Sequence, residues 1–248
     1  MIRSVIADPT GNLTALVPFP VSRDAQPVLA DEIMAASDCE QVGFLEKPTD
    51  SRALVRLQMM GGEFCGNAAM SAAAYVFFLS GFHPGEERTI PLEVSGADGL
   101  LSCRIRALSR GYEGTVKMPA IREVFQSPAW TRVRMDGITH FIIKKPLEDP
   151  EAEAMLRKLA LEEPADAVGL LQWANGFMKP LVYVRGTNSM VFETGCGSGS
   201  AAIGAAEAAP DGVSVSKVRQ KGGTILVTTR VSGGRIEETQ ITGTVFFR

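Results

Sequence analysis

The residues with the clearest chemical potential are two cysteines, Cys65 and Cys196, which lie about half the chain length apart. Each follows an acidic residue by two or three positions and is itself followed by glycine, a small polar residue and an alanine-rich run. The alanine-rich runs predict helices over Gly66–Leu79 and residues 197–209. Because the same pattern occurs twice, we expect each half of the chain to place a cysteine at the start of a helix.

A thiol at a helix N-terminus lies beside unpaired backbone N–H groups, which favour negative charge. We therefore expect the pKa of each thiol to fall from about 8.5 towards neutrality, so that each cysteine becomes a competent base. Gly66 and Gly197 allow a ligand to approach the backbone closely, and Asn67 and Ser198 add side-chain donors. Such a helix terminus also binds carboxylates.

Two thiols of this kind suit the inversion of a stereocentre by proton transfer. One base removes the α-proton from one face while a second group delivers a proton to the other, and the reverse reaction exchanges the two roles. Helix-terminal N–H groups stabilise the charge that develops on the substrate carboxylate, so no external electron sink is required. The pattern predicts an amino-acid racemase or epimerase that needs no cofactor.

Composition narrows the class of protein. The chain has 248 residues, of which 45% are hydrophobic and 21% charged, and its net charge is -3, as is typical of a soluble globular protein. It lacks the basic stripe that a nucleic-acid partner requires. The longest apolar run is far shorter than the roughly 20 residues that span a bilayer, so we expect a cytoplasmic protein without membrane association. In that reducing compartment the four cysteines are expected to remain thiols, and their spacing predicts no metal site.

The remaining segments are mostly short alternating strands, with further helices expected at residues 24–36 and 150–161. The fold class predicted is therefore α/β (α+β). The duplicated motif divides the chain into an N-terminal lobe, residues 1–115, which carries Cys65, and a C-terminal lobe, residues 116–248, which carries Cys196. The last strand is allowed to cross back into the first lobe.

The two cysteine motifs resemble those of the diaminopimelate epimerase superfamily, which has Cys-Gly-Asn in its first half and Cys-Gly-Ser/Thr-Gly in its second. The matching segments are Cys65-Gly66-Asn67, Cys196-Gly197-Ser198-Gly199, Gly11-Asn12 and Gly137-Ile138-Thr139-His140. The resemblance implies two pseudo-symmetric lobes, each a curved mixed sheet around a central helix, with the active site in the cleft between them. It also implies a small-molecule amino-acid substrate, no pyridoxal phosphate, no metal and a homodimer.

Departures from the family pattern bear on the substrate. Where the family has a Glu-Arg pair that recognises the far end of diaminopimelate, this chain has Thr187-Asn188, and Ile138 replaces a family asparagine. The second charged head of diaminopimelate would lose its partners, which is costly. The segments Asp8–Asn12, Glu40–Leu45 and Gly61–Asn67 look more like the histidine racemases of metallophore biosynthesis, so histidine is the expected substrate.

The resemblance also assigns roles to further residues. Asn12, Asn67, Ser198 and Gly199 would bind substrate together with the motif glycines, Glu40 would line the specificity pocket, and His140 would help to ionise or position a thiol. Glu63 and Glu193 precede the two cysteines. They are expected to orient the site, to bind the substrate ammonium or to cap the following helix.

Two alternatives remain open. The first is a relative of the same superfamily that acts on diaminopimelate, on a hydroxyproline-type imino acid or on an unsaturated acid. The second is not an enzyme: the two cysteines would close into a disulfide and act as a redox switch, which their separation along the chain does not exclude.

Overall fold

The computed structural model describes residues 4–81, 83–186 and 188–248. The chain forms two compact units, one made of the residues up to Lys117 together with Thr242–Arg248 and the other of Met118–Ile241. The sequence-based division at 115/116 placed the C-terminal residues in the second lobe but allowed the last strand to cross back into the first. In the structure they belong to the first unit, because the last strand pairs there.

In the described residues, the first unit contains three helices and seven strands before the chain leaves it. In chain order these are β1 (Val5–Pro9), β2 (Thr14–Val17), a short 3-10 helix (Arg23–Ala25), α1 (Gln26–Ala35), β3 (Gln41–Glu46), β4 (Val55–Met59), α2 (Gly66–Leu79), β5 (Glu87–Val94), β6 (Leu100–Ala107) and β7 (Tyr112–Lys117).

The part of the second unit that the structure describes continues with strands and two helices. Its elements are β8 (Ile121–Gln126), β9 (Thr131–Met135), β10 (Ile138–Ile143), α3 (Asp149–Glu162), β11 (Ala167–Ala174), β12 (Phe177–Val184), β13 (Ser189–Phe192), α4 (Gly197–Ala206), β14 (Gly212–Gln220), β15 (Gly223–Ser232) and β16 (Arg235–Phe247). The last strand, β16, begins in this unit and ends in the first.

In the first unit, strands β1 to β7 follow one another in the sheet, and the C-terminal part of β16 completes it. This part of β16 lies antiparallel to β1, with Ala7 opposite Phe247 and Pro9 opposite Val245, so the described strands close into a barrel. Pairing is parallel at β2–β3 and β4–β5. Helix α2 packs against six of these strands, and its alanine-rich sequence fits the narrow interior.

The second unit repeats this arrangement. From β9 to β15 the neighbouring strands pair alternately: β9–β10 antiparallel, β10–β11 parallel, β11–β12 antiparallel, β12–β14 parallel and β14–β15 antiparallel. The pairs of neighbouring strands from β1 to β6 alternate in the same way. Helix α4 packs on β14, β15 and β8 to β10. A curved mixed sheet around a central helix is therefore confirmed for each unit, and the repeated cysteine motif marks a duplicated fold.

The predicted helices are confirmed with changes at their ends. Helix α2 has the predicted bounds, whereas α4 ends at Ala206 rather than at residue 209. Pro210 follows closely, and the residue before a proline is disfavoured in helical conformation. None of the helices in the described residues is long and apolar enough to cross a membrane.

Candidate active site

Both cysteines occupy the N-cap position of a central helix. Cys65 has extended backbone angles (φ -134°, ψ 112°) and its Sγ accepts the N–H of Ala68 at 3.4 Å. Cys196 is alike (φ -113°, ψ 109°), and its Sγ accepts the N–H of Gly199 at 3.2 Å. The sulfur takes the part that a serine or aspartate oxygen usually plays at an N-cap. The expected placement of each cysteine at a helix start is confirmed.

The glutamates that precede the cysteines do not cap these helices, since the sulfurs fill that role. Glu63 is exposed as a residue, but desolvation of its carboxyl group raises the pKa, and the backbone N–H groups of Glu63 itself and of Gly61, which the carboxylate accepts, lower the pKa by less. The Glu193 carboxylate is half-buried and forms a hydrogen bond with the Cys196 side chain. The two copies of the motif therefore differ in how their acidic residue is used.

In the first unit, a hydrogen-bond network joins three residues expected at the site. Asn12 Nδ2 donates to Glu40 Oε2 at 2.7 Å, and Asn67 Nδ2 donates to Asn12 Oδ1 at 3.1 Å. Gln41 Nε2 donates to the same Asn12 Oδ1 at 2.8 Å and to Thr14 Oγ1 at 2.7 Å. Asn12 thus lies at the centre of the network, and Asn67 connects it to the Cys65 motif.

A strained turn positions Asn12. Thr10 and Gly11 both have positive φ, 56° and 93°, a region that β-branched residues rarely adopt. The backbone N–H of Thr10 donates to the carbonyl of Thr244 at 3.0 Å, and that of Gly11 to Asp8 Oδ1 at 2.7 Å. These bonds offset the strain and direct the Asn12 side chain towards Asn67 and Glu40.

In the second unit, Gln220 on β14 fixes the backbone of Cys196. Gln220 Oε1 accepts the Cys196 N–H at 2.6 Å, and Gln220 Nε2 donates to Ser200 Oγ at 2.9 Å. Ser200 Oγ donates in turn to the Cys196 carbonyl at 2.7 Å. The amide and carbonyl of the N-cap residue are therefore both held by one buried side-chain cluster.

A second chain of contacts supports the sulfur of Cys196. Ser198 Oγ lies 3.5 Å from Cys196 Sγ and 3.0 Å from His140 Nε2. His140 is fully buried on β10, and its neighbour in register on β11 is Gly169. A Cβ at Gly169 would lie 2.1 Å from His140 Nδ1, so only glycine admits the imidazole in this position. His140 therefore contacts Ser198, and it acts on the Cys196 sulfur through this serine.

The expected fall of the thiol pKa is wrong for Cys196. Burial raises the pKa of this thiol well above its ordinary value, and the carboxylate of Glu193 raises it further through its charge and its hydrogen bond. The Ser198 hydroxyl and the Gly199 N–H lower it, but by less. The helix terminus was expected to dominate; desolvation and a nearby negative charge outweigh it, and Cys196 is held as the protonated thiol.

Burial has the opposite effect on His140, because the charged form of histidine is the protonated one. The pKa of His140 is lowered to about 3 by desolvation, so the imidazole is neutral across the physiological range. His140 therefore supports Ser198 by hydrogen bonding alone.

The low pKa of His140 predicts a specific loss of stability in acid. Unfolded histidine binds a proton below a pH of about 6.5, whereas folded His140 does so only below about 3. The free energy of unfolding should therefore be undiminished above pH 6.5 and fall as the pH drops through this window, by up to about 1.4 kcal/mol per pH unit. Urea unfolding at several pH values measures this slope in the wild type and in His140→Asn.

The control for this measurement is His83→Asn, because His83 is the other histidine and is exposed. His83→Asn should keep the slope of the wild type between pH 5 and 6.5, and His140→Asn should flatten it. Identical slopes in all three proteins would contradict a neutral, buried His140.

The structure thus groups the expected site residues by unit: Asn12, Glu40, Cys65, Gly66 and Asn67 in the first, and His140, Cys196, Gly197, Ser198 and Gly199 in the second. Thr187, one of the positions expected to bear on the substrate, lies outside the described residues; the neighbouring Asn188 accepts a hydrogen bond from Tyr183. Sequence reasoning missed Gln41, Gln220 and Gly169. Only Gln41 had a local signal, since it follows Glu40 directly.

Comparison with known proteins decides the family. The protein-family model described as the histidine racemase CntK N-terminal domain matches residues 1–247 of this chain. The chain belongs to the histidine racemase family. A histidine racemase of Staphylococcus aureus strain Mu50 is 31% identical over 242 residues, which cover 90% of this chain and 86% of that protein. One from Fusobacterium nucleatum subsp. nucleatum is 32% identical over 212 residues, 79% of this chain and 78% of that protein.

Solved structures show the same fold at lower identity. A probable proline racemase from Agrobacterium radiobacter K84 superposes with a TM-score of 0.65 at 12% identity, covering 98% of this chain and 90% of that one. As a member of the histidine racemase family, the chain is an isomerase, an amino-acid racemase. The expected resemblance to the racemase and epimerase superfamily is confirmed.

Proposed function

We propose that this racemase interconverts the enantiomers of histidine by two-base proton transfer, with Cys65 and Cys196 as the two acid–base groups. The observation that carries the proposal is that both cysteines are N-caps whose sulfurs accept a backbone N–H of a central helix. Such a sulfur lies next to the positive end of the helix dipole, which favours a thiolate and binds a substrate carboxylate, although burial and Glu193 outweigh its effect on the Cys196 thiol.

The two thiols must begin a turnover in different protonation states. One cysteine, as the thiolate, removes the α-proton and becomes a thiol, while the other, as the thiol, donates its proton to the opposite face and becomes the thiolate. The environment of Cys196 favours the thiol, which makes Cys196 the proton donor when Cys65 acts as the base. The reverse reaction restores both groups, so no external proton acceptor is consumed.

Charge on the substrate carboxylate grows as the α-proton leaves. The backbone N–H groups in the first turns of α2 and α4, beginning at Gly66 and Gly197, are the donors available to stabilise it. Gly199 keeps the cap compact: a Cβ there would come within 3.0 Å of Cys196 Sγ and 2.9 Å of Leu171 Cδ2. Asn67 and Ser198, the residues after the two Cys-Gly pairs, complete the proposed substrate contacts.

The substrate side chain is assigned from the relatives and from Glu40. The curated relatives are histidine racemases. Glu40 presents a half-buried carboxylate oriented by Asn12, which suits an imidazole N–H better than an uncharged aliphatic side chain. Glu40 and Asn12 are therefore proposed as the contacts that select the side chain.

This assignment predicts the outcome of a substrate panel. The reduced enzyme, incubated with each common L-amino acid and with diaminopimelate, should produce the D-enantiomer of histidine much faster than that of any other, as read by chiral chromatography. Glu40→Gln removes the charge without changing the shape, and it should lower kcat/KM for histidine by about 10-fold or more, the effect of one charge-assisted hydrogen bond. Faster turnover of diaminopimelate or proline would contradict the assignment.

A further inference from the structure

We propose that Gln41 is a positioning residue that sets substrate selectivity, because it fixes the orientation of the Asn12 amide and thereby that of the Glu40 carboxylate. The proposal rests on the role of Glu40 proposed above. Gln41 lies at the start of β3, immediately after Glu40, and is half-buried.

An asparagine amide has one acceptor end and one donor end, and its contacts decide which end points where. At Asn12 the carbonyl oxygen accepts hydrogen bonds from Gln41 Nε2 at 2.8 Å and Asn67 Nδ2 at 3.1 Å. With its oxygen held by two donors, Asn12 turns its NH2 group to Glu40 Oε2, 2.7 Å away. A flipped Asn12 would instead set its carbonyl oxygen against the carboxylate.

Gln41 is itself fixed in the donating orientation. Its Nε2 also donates to Thr14 Oγ1 at 2.7 Å, and that hydroxyl donates onward to the carbonyl of Asn12 at 2.9 Å. The hydroxyl proton of Thr14 is thereby used, so its oxygen must accept from Gln41. The donor and acceptor roles in this series of hydrogen bonds are therefore determined at the fully buried Thr14. They are transmitted through Gln41 and Asn12 to Glu40.

The same network therefore connects the carboxylate of Glu40 with Asn67, two residues after Cys65. Selectivity depends on where Glu40 points when a substrate side chain meets it, and proton transfer depends on the turn that holds the sulfur. Gln41 is not itself one of the substrate contacts proposed above, and it acts on Glu40 through Asn12, whose carbonyl oxygen accepts a hydrogen bond from Gln41 Nε2.

The test compares Gln41→Leu with Gln26→Leu, a matched control in the same unit. Gln26 is buried, and its Nε2 donates to Glu46 Oε1 at 2.7 Å, so its replacement likewise removes a glutamine side-chain donor, but one that does not bond to Asn12. Gln41→Leu should lower the ratio of kcat/KM for histidine to kcat/KM for asparagine by about 10-fold, mainly through KM, because Glu40 loses its orientation. Gln26→Leu should leave this ratio as in the wild type.

A double variant separates positioning from general damage. In the Glu40→Gln background, Gln41→Leu should produce no further change in the histidine-to-asparagine ratio, since the carboxylate that it positions is gone. A loss of the ratio of similar size in both backgrounds, or an equal loss in Gln26→Leu, overturns the proposal.

A readout without turnover keeps the proposal independent of the substrate assignment. The side-chain amide protons of Asn12, followed by 15N NMR, should exchange with solvent faster in Gln41→Leu than in the wild type and in Gln26→Leu. If histidine is not racemised, the proposed substrate fails while the exchange measurement still decides the role of Gln41. Unchanged exchange in Gln41→Leu overturns it.

Discussion

Cys65→Ala and Cys196→Ala should each lower kcat for racemisation by roughly 10²- to 10⁴-fold, the usual contribution of a positioned acid or base. Each variant keeps one thiol, but inversion needs a group on both faces of the α-carbon, so neither should retain substantial activity. Chiral chromatography of the product gives the rate. Cys39→Ala is the control, because Cys39 is a buried thiol that caps no helix.

Deuterated water distinguishes two bases from one. With two bases, the proton removed from one face differs from the one delivered to the other. Solvent deuterium should therefore enter the product enantiomer well before it enters the recovered substrate. Equal early labelling of both enantiomers would indicate a single base, and full activity in either cysteine variant would rule out the mechanism altogether.

Gly169→Ala should destabilise the protein by about 1–3 kcal/mol and lower activity, because its Cβ would occupy the position of the His140 ring. The imidazole would have to leave its contact with Ser198, and the hydroxyl beside the Cys196 sulfur would lose its partner. Urea unfolding and kcat measure the two effects. Removal of the ring should relieve the clash, so His140→Ala/Gly169→Ala should be more stable than Gly169→Ala alone.

Gly204→Ala provides the matched control. Its Cβ would lie 2.4 Å from Val227 Cγ1, where α4 packs on β15, so it also overpacks the core of the second unit. It does not involve His140, and His140→Ala should therefore fail to rescue it. Additive effects of His140→Ala and Gly169→Ala, with no rescue, would show that the ring and the glycine are not coupled.

Local signals were strong enough to predict the helices and the duplication. Helix α2 has its predicted bounds because a run of alanines after a Cys-Gly turn has high helix propensity and little alternative structure. Several strands were not predicted, among them β9 and β11. β11 is an almost continuously apolar segment, which shows no alternation because α3 packs against Val168 and Leu170 on one face and Leu171 on the other face lies next to Gly199 of α4.

The chemistry at Cys196 shows what sequence spacing could not provide. The helix start could be predicted from Cys-Gly-Ser-Gly, but the pKa of the Cys196 thiol depends on the burial of the sulfur and on the carboxylate of Glu193. These are consequences of packing, and they reversed the direction expected from the helix dipole alone.

The sequence by itself determined which residues are the candidates for the reaction, since a repeated Cys-Gly motif followed by a helix-forming run is a local pattern. It also determined the family, through the same motifs. Only the tertiary structure decided how those residues are supported: Gln220 reaches the Cys196 amide from β14, Gly169 makes room for His140, and Gln41 orients Asn12. The physical reason is that hydrogen-bond polarity, desolvation and steric fit depend on neighbours that are distant in the chain.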